Sequence, residues 1–459
     1  LKKLSVLFVI LCLLFAVSCA ESDSAESFDA EFGTESEIVD FNGLALTVMK
    51  DEHVTGLFGY KEDTQLYDEL ASRISTIEKK YNTKIEYATR TDPVNALPQK
   101  LAAGETDINV LFMRSHNLRQ LGNAGYLADV ALYSDIIDYK NSFLWGSYNT
   151  LELLTCNGVL CGVTPASWID NLTPYYFAIV ANNNLFMKNG FANPREYIEN
   201  DTWGREIFEE VTVNCTDTAN QIYGFETAAS FIYRLAVHTN GVPTVDYSTG
   251  SPRSGYHTEA AAEALQWASD YITRNRENIA FTGESNQNFK AGNAAMTTKD
   301  AVSICKEIAY EEAVGEFSVL PFPAGPFAEK GQYGGFISTT LNTVSIPVSS
   351  EYIEESAMVI NEIFAPMNGI NTLEDLKQYY ATNVLYSYED VDMLFKLCDS
   401  AEWCYWVENG VSHIDKITTA LENGSMSVSQ AIESFAPLAD EVINEYIIPN
   451  KEGLASYFD

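Results

Sequence analysis

Leu101-Ala102-Ala103-Gly104-Glu105-Thr106-Asp107-Ile108-Asn109-Val110-Leu111-Phe112 runs from the end of one helix into a strand. Val94, Leu97 and Leu101 share a helical face, and Gly104 stops that helix. Asp107 to Phe112 has the apolar run of a buried strand, and a further helix closes near Gly125. The same unit stands upstream. Leu44-Ala45-Leu46-Thr47-Val48 reads as a strand, Leu66, Leu70, Ile74 and Ile77 fall on one helical face, and Lys84 to Ala88 alternates as a short strand. Repeated strand–helix units of this length predict an α/β fold, with mostly parallel sheet flanked by helices.

Downstream, Asn157-Gly158 is a two-residue hairpin signal between short strands. Tyr175 to Ala181 reads as a strand and Asn182 to Asn189 as a helix. Further helices are expected over 202–211, 226–239 and 257–274, the last with Ala261, Leu265, Ala268 and Ile272 on one face. A strand begins near Gly335-Phe336-Ile337. After Ser350 nearly everything reads as helix, to about Tyr446. The 420 or so residues involved, about twice a usual single core, predict two lobes.

The chain holds 28 basic and 64 acidic residues, a formal charge of −36. Such a surface repels nucleic acid and anionic lipid, so neither is an expected partner. Lys2 and Lys3 precede an apolar run, Leu4 to Val17, of about fourteen residues, short of the roughly 20 that span a bilayer. Ala16-Val17-Ser18-Cys19 follows, a secretory signal of the bacterial lipoprotein type. Residues 1–18 are therefore expected as signal peptide and Cys19 as the lipidated residue; an ordinary signal with a chance cysteine is the plainer alternative. Residues 19–41 carry eight acidic residues between Glu21 and Asp40 and no Lys or Arg, the composition of a disordered tether. The folded part is expected outside the cell, anchored to the outer face of the membrane. Of the six remaining cysteines, Cys156 and Cys161 lie diagonally across the hairpin and read as buried thiols. Cys398 and Cys404 are the more plausible pair. No spacing suggests a metal site.

In this order, several stretches resemble the extracellular solute-binding proteins of family 1, the sugar receptors of ABC importers. Leu101-Ala102-Ala103-Gly104-Glu105 with Asp107-Ile108 is similar to that family's helix-to-strand step. Leu121-Gly122-Asn123-Ala124-Gly125-Tyr126-Leu127-Ala128-Asp129 and Gly158-Val159-Leu160-Cys161-Gly162-Val163-Thr164-Pro165 resemble two further motifs. Asn183-Leu185-Phe186, Asp201-Thr202-Trp203, Phe289-Lys290-Ala291-Gly292-Asn293-Ala294-Ala295-Met296, Gly334-Gly335 and Asn423-Gly424-Ser425 complete the set. Val180-Ala181-Asn182-Asn183 and Gly204-Arg205 depart from the pattern. The resemblance implies a two-lobed periplasmic-binding-protein-like fold of type II with a helical C-terminal segment. It places lobe one at 42–164 plus 288–334 and lobe two at 165–287 plus 335–459. It implies a monomer without cofactor that closes about a hinge on a small solute, foremost a mono- or oligosaccharide, and hands it to ABC permease subunits driven by an ATPase.

Ligands of open α/β sheets sit beyond the carboxyl ends of strands. That rule selects Arg114, Ser115 and His116, then Trp168, Thr173 and Tyr175 at the hinge, then Glu226, Thr227, Thr297, Thr298 and Tyr333. Trp406, with Trp403, is a candidate from the final helices. Sugars need aromatic faces against C–H patches and planar polar groups for hydroxyls, and these residues supply both. Blander roles stand beside them. Trp203 and the Trp403/Trp406 pair suit packing, Arg114 an ion pair, His116 a solvated loop, and Glu226 a helix N-terminus.

A surface-tethered glycan hydrolase is a rival reading, but no nucleophile elbow, zinc motif or phosphate loop occurs. A structural lipoprotein would more often show repeats. A peptide or polyamine receptor of the same fold is the closer alternative.

Overall fold

A computed structural model describes residues 39–458, except 55, 89–90, 170, 172–176, 284, 332, 338–340 and 404–412. The expected signal peptide, Cys19 and nearly all of the acidic tether lie outside the described residues, as do Thr173, Tyr175, Cys404 and Trp406.

The first sheet contains β1 (Leu44–Lys50), β2 (Thr83–Tyr87), β3 (Ile108–Arg114) and β14 (Asn342–Ser345), in the order β14-β3-β1-β2. The first three are parallel, with Leu46 beside Ile85 and Lys50 beside Phe112, and β14 runs antiparallel to β3. Every residue of β3 before Arg114 is buried, as a strand covered on both faces requires. Helix Gln65–Lys80 starts at Thr64, whose hydroxyl accepts from Tyr67 N, and buries Leu70, Ile74 and Ile77, the face its periodicity predicts. Short strands β4 (Thr155–Cys156) and β5 (Val159–Leu160) flank Asn157-Gly158, both at positive φ as a tight hairpin turn demands.

The second sheet has five strands: β6 (Phe177–Asn182), β7 (Tyr223–Glu226), β10 (Ile279–Ala280), β11 (Ala294–Asp300) and β12 (Phe317–Leu320). Their order is β10-β7-β11-β6-β12. β7, β10 and β11 are parallel, while β6 opposes both β11 and β12. A minor hairpin joins β8 (Val245–Asp246) to β9 (Arg253–Ser254). Helix Glu259–Arg274, capped by Thr258, buries Ala261, Leu265, Ala268 and Ile272 as its spacing predicts. Its small residues admit helix Ala229–His238 closely. The sequence reading extended that second helix back to Glu226; the chain instead continues β7 through Glu226, because backbone pairing with β10 and β11 claims the residue first.

Strand pairing allots three segments the other way round from the expected lobes. Residues 294–300 and 317–320, expected in lobe one, join β6 and β7, and residues 342–345, expected in lobe two, close the edge of β3. The apolar strand pattern reveals that a strand exists but not which open edge it will satisfy.

Beyond β14 the chain visits both sheets. Helix Ile353–Ile363 packs on Gln65–Lys80 and β3, and helix Tyr388–Ser400 packs on β12. Helices His413–Glu422 and Val428–Val442 cover Ala229–His238 and Glu259–Arg274. Directly after helix Tyr388–Ser400 comes β15 (Ala401–Trp403), parallel to β13 (Gly335–Ile337), where sequence periodicity suggests only helix. Cys156 and Cys161 are buried free thiols, as their diagonal register suggests. Cys398 is also a buried free thiol, and its expected partner lies outside the described residues.

Gly224 fixes how β7 meets helix Arg205–Asn214. A Cβ there would stand 1.8 Å from the Thr212 carbonyl oxygen, a backbone atom that cannot swing aside. Gly224→Ala is expected to cost about 1–3 kcal/mol of stability by overpacking, read as a lowered urea midpoint with the native secondary structure retained.

Candidate ligand-binding site

The carboxyl ends of the parallel strands form one polar edge on each sheet. In the first, β1 leads into Asp51 and β3 ends at Arg114. The Asp51 carboxylate is almost wholly buried and accepts from Asn117 Nδ2 at 2.5 Å, His53 N at 2.9 Å and Arg114 N at 3.4 Å. It fixes the turn from which the half-buried Arg114 side chain departs. Ser115 is fully buried, exchanging hydrogen bonds with the Leu341 backbone. It therefore serves the β3–β14 junction. His116 is half-buried on the first turn of helix Ser115–Asn123.

The linker leaving this lobe is held by side chains. Thr164 donates to the Asn342 carbonyl at 2.8 Å, and Asn171 Nδ2 donates to the Pro165 carbonyl at 2.8 Å. Trp168, expected to face ligand, is 2 % exposed. Its indole N–H donates to the Phe364 and Ala365 carbonyls, and its ring packs on Tyr60 and Phe364. The structure thus makes Trp168 a core residue: its large apolar face and single donor are both satisfied inside. Tyr60, from the 50–63 loop, donates to the Ile169 carbonyl. That loop clamps the start of the linker.

On the second sheet, β7 ends at Glu226 and β11 at Asp300, opposite Phe177 at the start of β6. Glu226 is fully buried. Its carboxylate accepts from Phe289 N at 2.6 Å, Thr282 Oγ1 at 2.7 Å, Asn288 Nδ2 at 2.9 Å and Asn288 N at 3.1 Å. It therefore caps helix Gln287–Lys290 and has little capacity left for a ligand. Thr227 and Thr298 share a hydroxyl hydrogen bond of 2.5 Å, and Thr297 donates to the Glu226 carbonyl at 2.8 Å. All three threonines are buried, and only Thr298 reaches the cavity beside them.

That cavity, of about 300 Å³, opens at the carboxyl end of β11. Phe177 and Phe231 form one wall, their rings 4.5 Å apart and tilted by 34°. Asn286, Thr298, Lys299 and Asp300 supply polar groups. Lys290 and Lys299 both reach Glu307, at 2.6 and 3.4 Å, and Asp300 accepts from Ser303 N at 2.9 Å. An aromatic wall beside rigidly placed donors and acceptors suits a small polyhydroxylated or amphipathic solute. Sequence reasoning missed Phe177, Phe231, Asn286, Lys299 and Asp300. The strand-end rule was applied at Thr297 and Thr298; the strand runs on to Asp300, where the same rule reaches the lining of this cavity.

A larger cavity, about 680 Å³, lies between the C-terminal turn of helix Ala229–His238, the 328–335 segment and the end of helix Tyr388–Ser400. Tyr333 lines it, so the structure separates Tyr333 from Thr227 by the length of a ten-residue helix, roughly 15 Å. We favour the smaller cavity because it stands at strand carboxyl ends. Among the described residues no group of three or more His, Cys, Asp or Glu is arranged to hold a metal, and no helix is long and apolar enough to cross a membrane.

No protein-family model matches the chain, and no curated protein matches it by sequence. Solved structures match throughout. An ABC substrate-binding protein from Listeria monocytogenes in complex with cycloalternan is 14% identical over 88% of this chain and 100% of that one, with a TM-score of 0.59. The GacH receptor of Streptomyces glaucescens, solved without ligand and with acarbose, is 15% identical over 88% and 99%, with a TM-score of 0.59. An ABC transporter solute-binding protein from Thermotoga lettingae bound to α-D-tagatose is 16% identical over 87% and 100%, with a TM-score of 0.54. The chain has the two-lobed α/β fold of ABC-transporter solute-binding proteins.

Two predictions follow from these positions. Glu226→Ala removes the acceptor of four donors and is expected to destabilise the fold by about 2–3 kcal/mol, seen in urea unfolding without any ligand. The second concerns His238, beside the larger cavity. Burial, and then the nearby Arg234 charge, hold its imidazole down from 6.5 to about 4. The neutral form is thus favoured in the folded state. Its contribution to stability is fully present above about 6.5, declines as pH falls below that, and is gone below about 4. Urea midpoints should fall between pH 6.5 and 5, before most carboxylates titrate, and His238→Gln should flatten that part of the curve.

Proposed function

We propose that the protein is the substrate-binding receptor of an ABC importer and captures a carbohydrate, a mono- or oligosaccharide, between its lobes by hinge closure. The observation that carries this reading is the strand-end cavity: a Phe177–Phe231 wall for the C–H face of a pyranose, ringed by Asn286, Thr298, Lys299 and Asp300 for its hydroxyls. The sugars in the matched structures, cycloalternan, acarbose and tagatose among them, agree with that chemistry. Arg114 and His116, on the first sheet's edge, are proposed to meet the ligand from the opposite lobe, and Tyr175 and Trp406 are proposed as further contacts. Closure desolvates the ligand and makes contacts on both its sides, so affinity for the closed form drives the motion. The protein performs no bond chemistry; it is proposed to be tethered through lipidated Cys19 outside the membrane and to deliver its cargo to permease subunits.

The test is a thermal-shift screen of the soluble chain from Glu21 onward against mono- and oligosaccharides, peptides and polyamines. Saturating sugar should raise the melting temperature without release of reducing ends. A rise with peptide or polyamine alone would replace the sugar, and turnover would replace the receptor. With the ligand in hand, Phe177→Ala is expected to weaken binding about tenfold or more, the worth of roughly 1.4 kcal/mol. Asp300→Asn and Arg114→Ala should weaken it by similar factors, with unchanged unfolding midpoints for Arg114→Ala.

A further inference from the structure

The last helical run of the chain grips both lobes. Helix Val428–Val442, a five-residue π-helical turn Ile443–Ile447 and helix Ile448–Phe458 follow one another without a break, in segments of 15, 5 and 11 residues. At about 1.5 Å per residue the run is roughly 45 Å long. Its first half belongs to the second lobe. Val428, Ala431, Ala436 and Ala439 are buried there. The Asp440 carboxylate accepts from Ser254 N at 2.7 Å and stands 2.9 Å from His257 Nε2.

The second half belongs to the first lobe. Asn450 Oδ1 accepts from Gly158 N at 3.1 Å, at the tip of the β4–β5 hairpin. Lys451 pairs with the nearly buried Glu152 at 2.8 Å. Tyr457 donates to Asp129 Oδ2 at 2.7 Å. Leu454 is fully buried. Gly453 lies so close to Gly158 that a Cβ on it would stand 2.3 Å from the Gly158 Cα.

Two prolines interrupt the run: Pro437, inside the first half and flanked by its buried Ala436 and Ala439, and Pro449, which falls between the two grips. Pro449 has no N–H to return to the Glu445 carbonyl, so regular α-helical bonding fails one turn before it. The chain answers with wider bonding, Ile448 N donating to the Ile443 carbonyl. Kinks concentrate at such interruptions. A rigid rod anchored at both ends resists separation of its anchors, and one with a soft turn yields at that turn.

We propose that the 428–458 run is a strut across the two lobes, flexing at the π turn, whose hold on the β4–β5 hairpin limits how far the unliganded lobes open. The inference needs two lobes that move but not a sugar as ligand. Gly453→Ala is the sharpest variant: alanine favours helix, yet its methyl has no room against the hairpin backbone. Tyr457→Phe is the gentler one, removing a single hydroxyl.

Spin labels on Lys79→Cys, exposed in the first lobe, and Thr273→Cys, exposed in the second, report the interlobe distance by pulsed electron paramagnetic resonance. In the full unliganded chain, both variants should move the distance distribution outward and broaden it relative to the parent. Distributions superimposable on the parent's, from Tyr457→Phe with an unchanged far-ultraviolet spectrum, overturn the strut. If Gly453→Ala fails to fold, Tyr457→Phe alone decides. A shifted distribution in a protein that binds no sugar leaves the strut standing and removes the carbohydrate reading.

Discussion

The pairing of β14 with β3 is the constraint on which the architecture turns. Three parallel strands leave β3 with an unpaired row of amides and carbonyls, and an open edge of that kind must be covered or it will pair elsewhere. The chain covers it with residues 342–345, which it reaches only after building the whole second sheet. The first sheet therefore cannot be completed by one continuous stretch, whereas the second is built wholly within 177–320. The linker bonds of Thr164 and Asn171, and the seat of Trp168 under Phe364, follow from that return.

The same return creates the setting for a ligand. Parallel strands need long crossovers, so their carboxyl ends are free of tight turns and carry loops that end in side chains. On the first sheet those are Asp51 and Arg114; on the second, Asp300 and its neighbours. Their chemistry divides. Asp51 and Glu226 are buried carboxylates spent on backbone and side-chain donors, which gives the edges rigid geometry. Phe177, Phe231 and Asp300 line open space. The proposed binding site needs both kinds, because a contact group that is itself loose pays ordering entropy when the ligand arrives.

The C-terminal end of the chain lies outside both sheets. The C-terminal run adds nothing to either sheet, yet it touches both lobes through Asp440 and Tyr457. Its irregular turn is explained by one residue, Pro449, and that residue is visible in the sequence long before its consequence is.

Much of the fold was legible from residues alone. The faces of Gln65–Lys80 and Glu259–Arg274, the existence of the strand read at 107–112 and found at Ile108–Arg114, and the Asn157-Gly158 hairpin are local matters, set by periodicity and turn chemistry within a few residues. Sheet membership was not. That residues 294–300 and 317–320 join β6 while 342–345 join β3 depends on which edges remain unpaired, a property of the assembled chain. The candidate site divided in the same way. The strand-end rule reached Arg114, Glu226 and Thr298 from sequence, but whether each side chain meets solvent or is consumed by neighbours was decided by packing. Trp168, Ser115 and Glu226 turned inward because partners far along the chain satisfied them, and no local pattern records those partners.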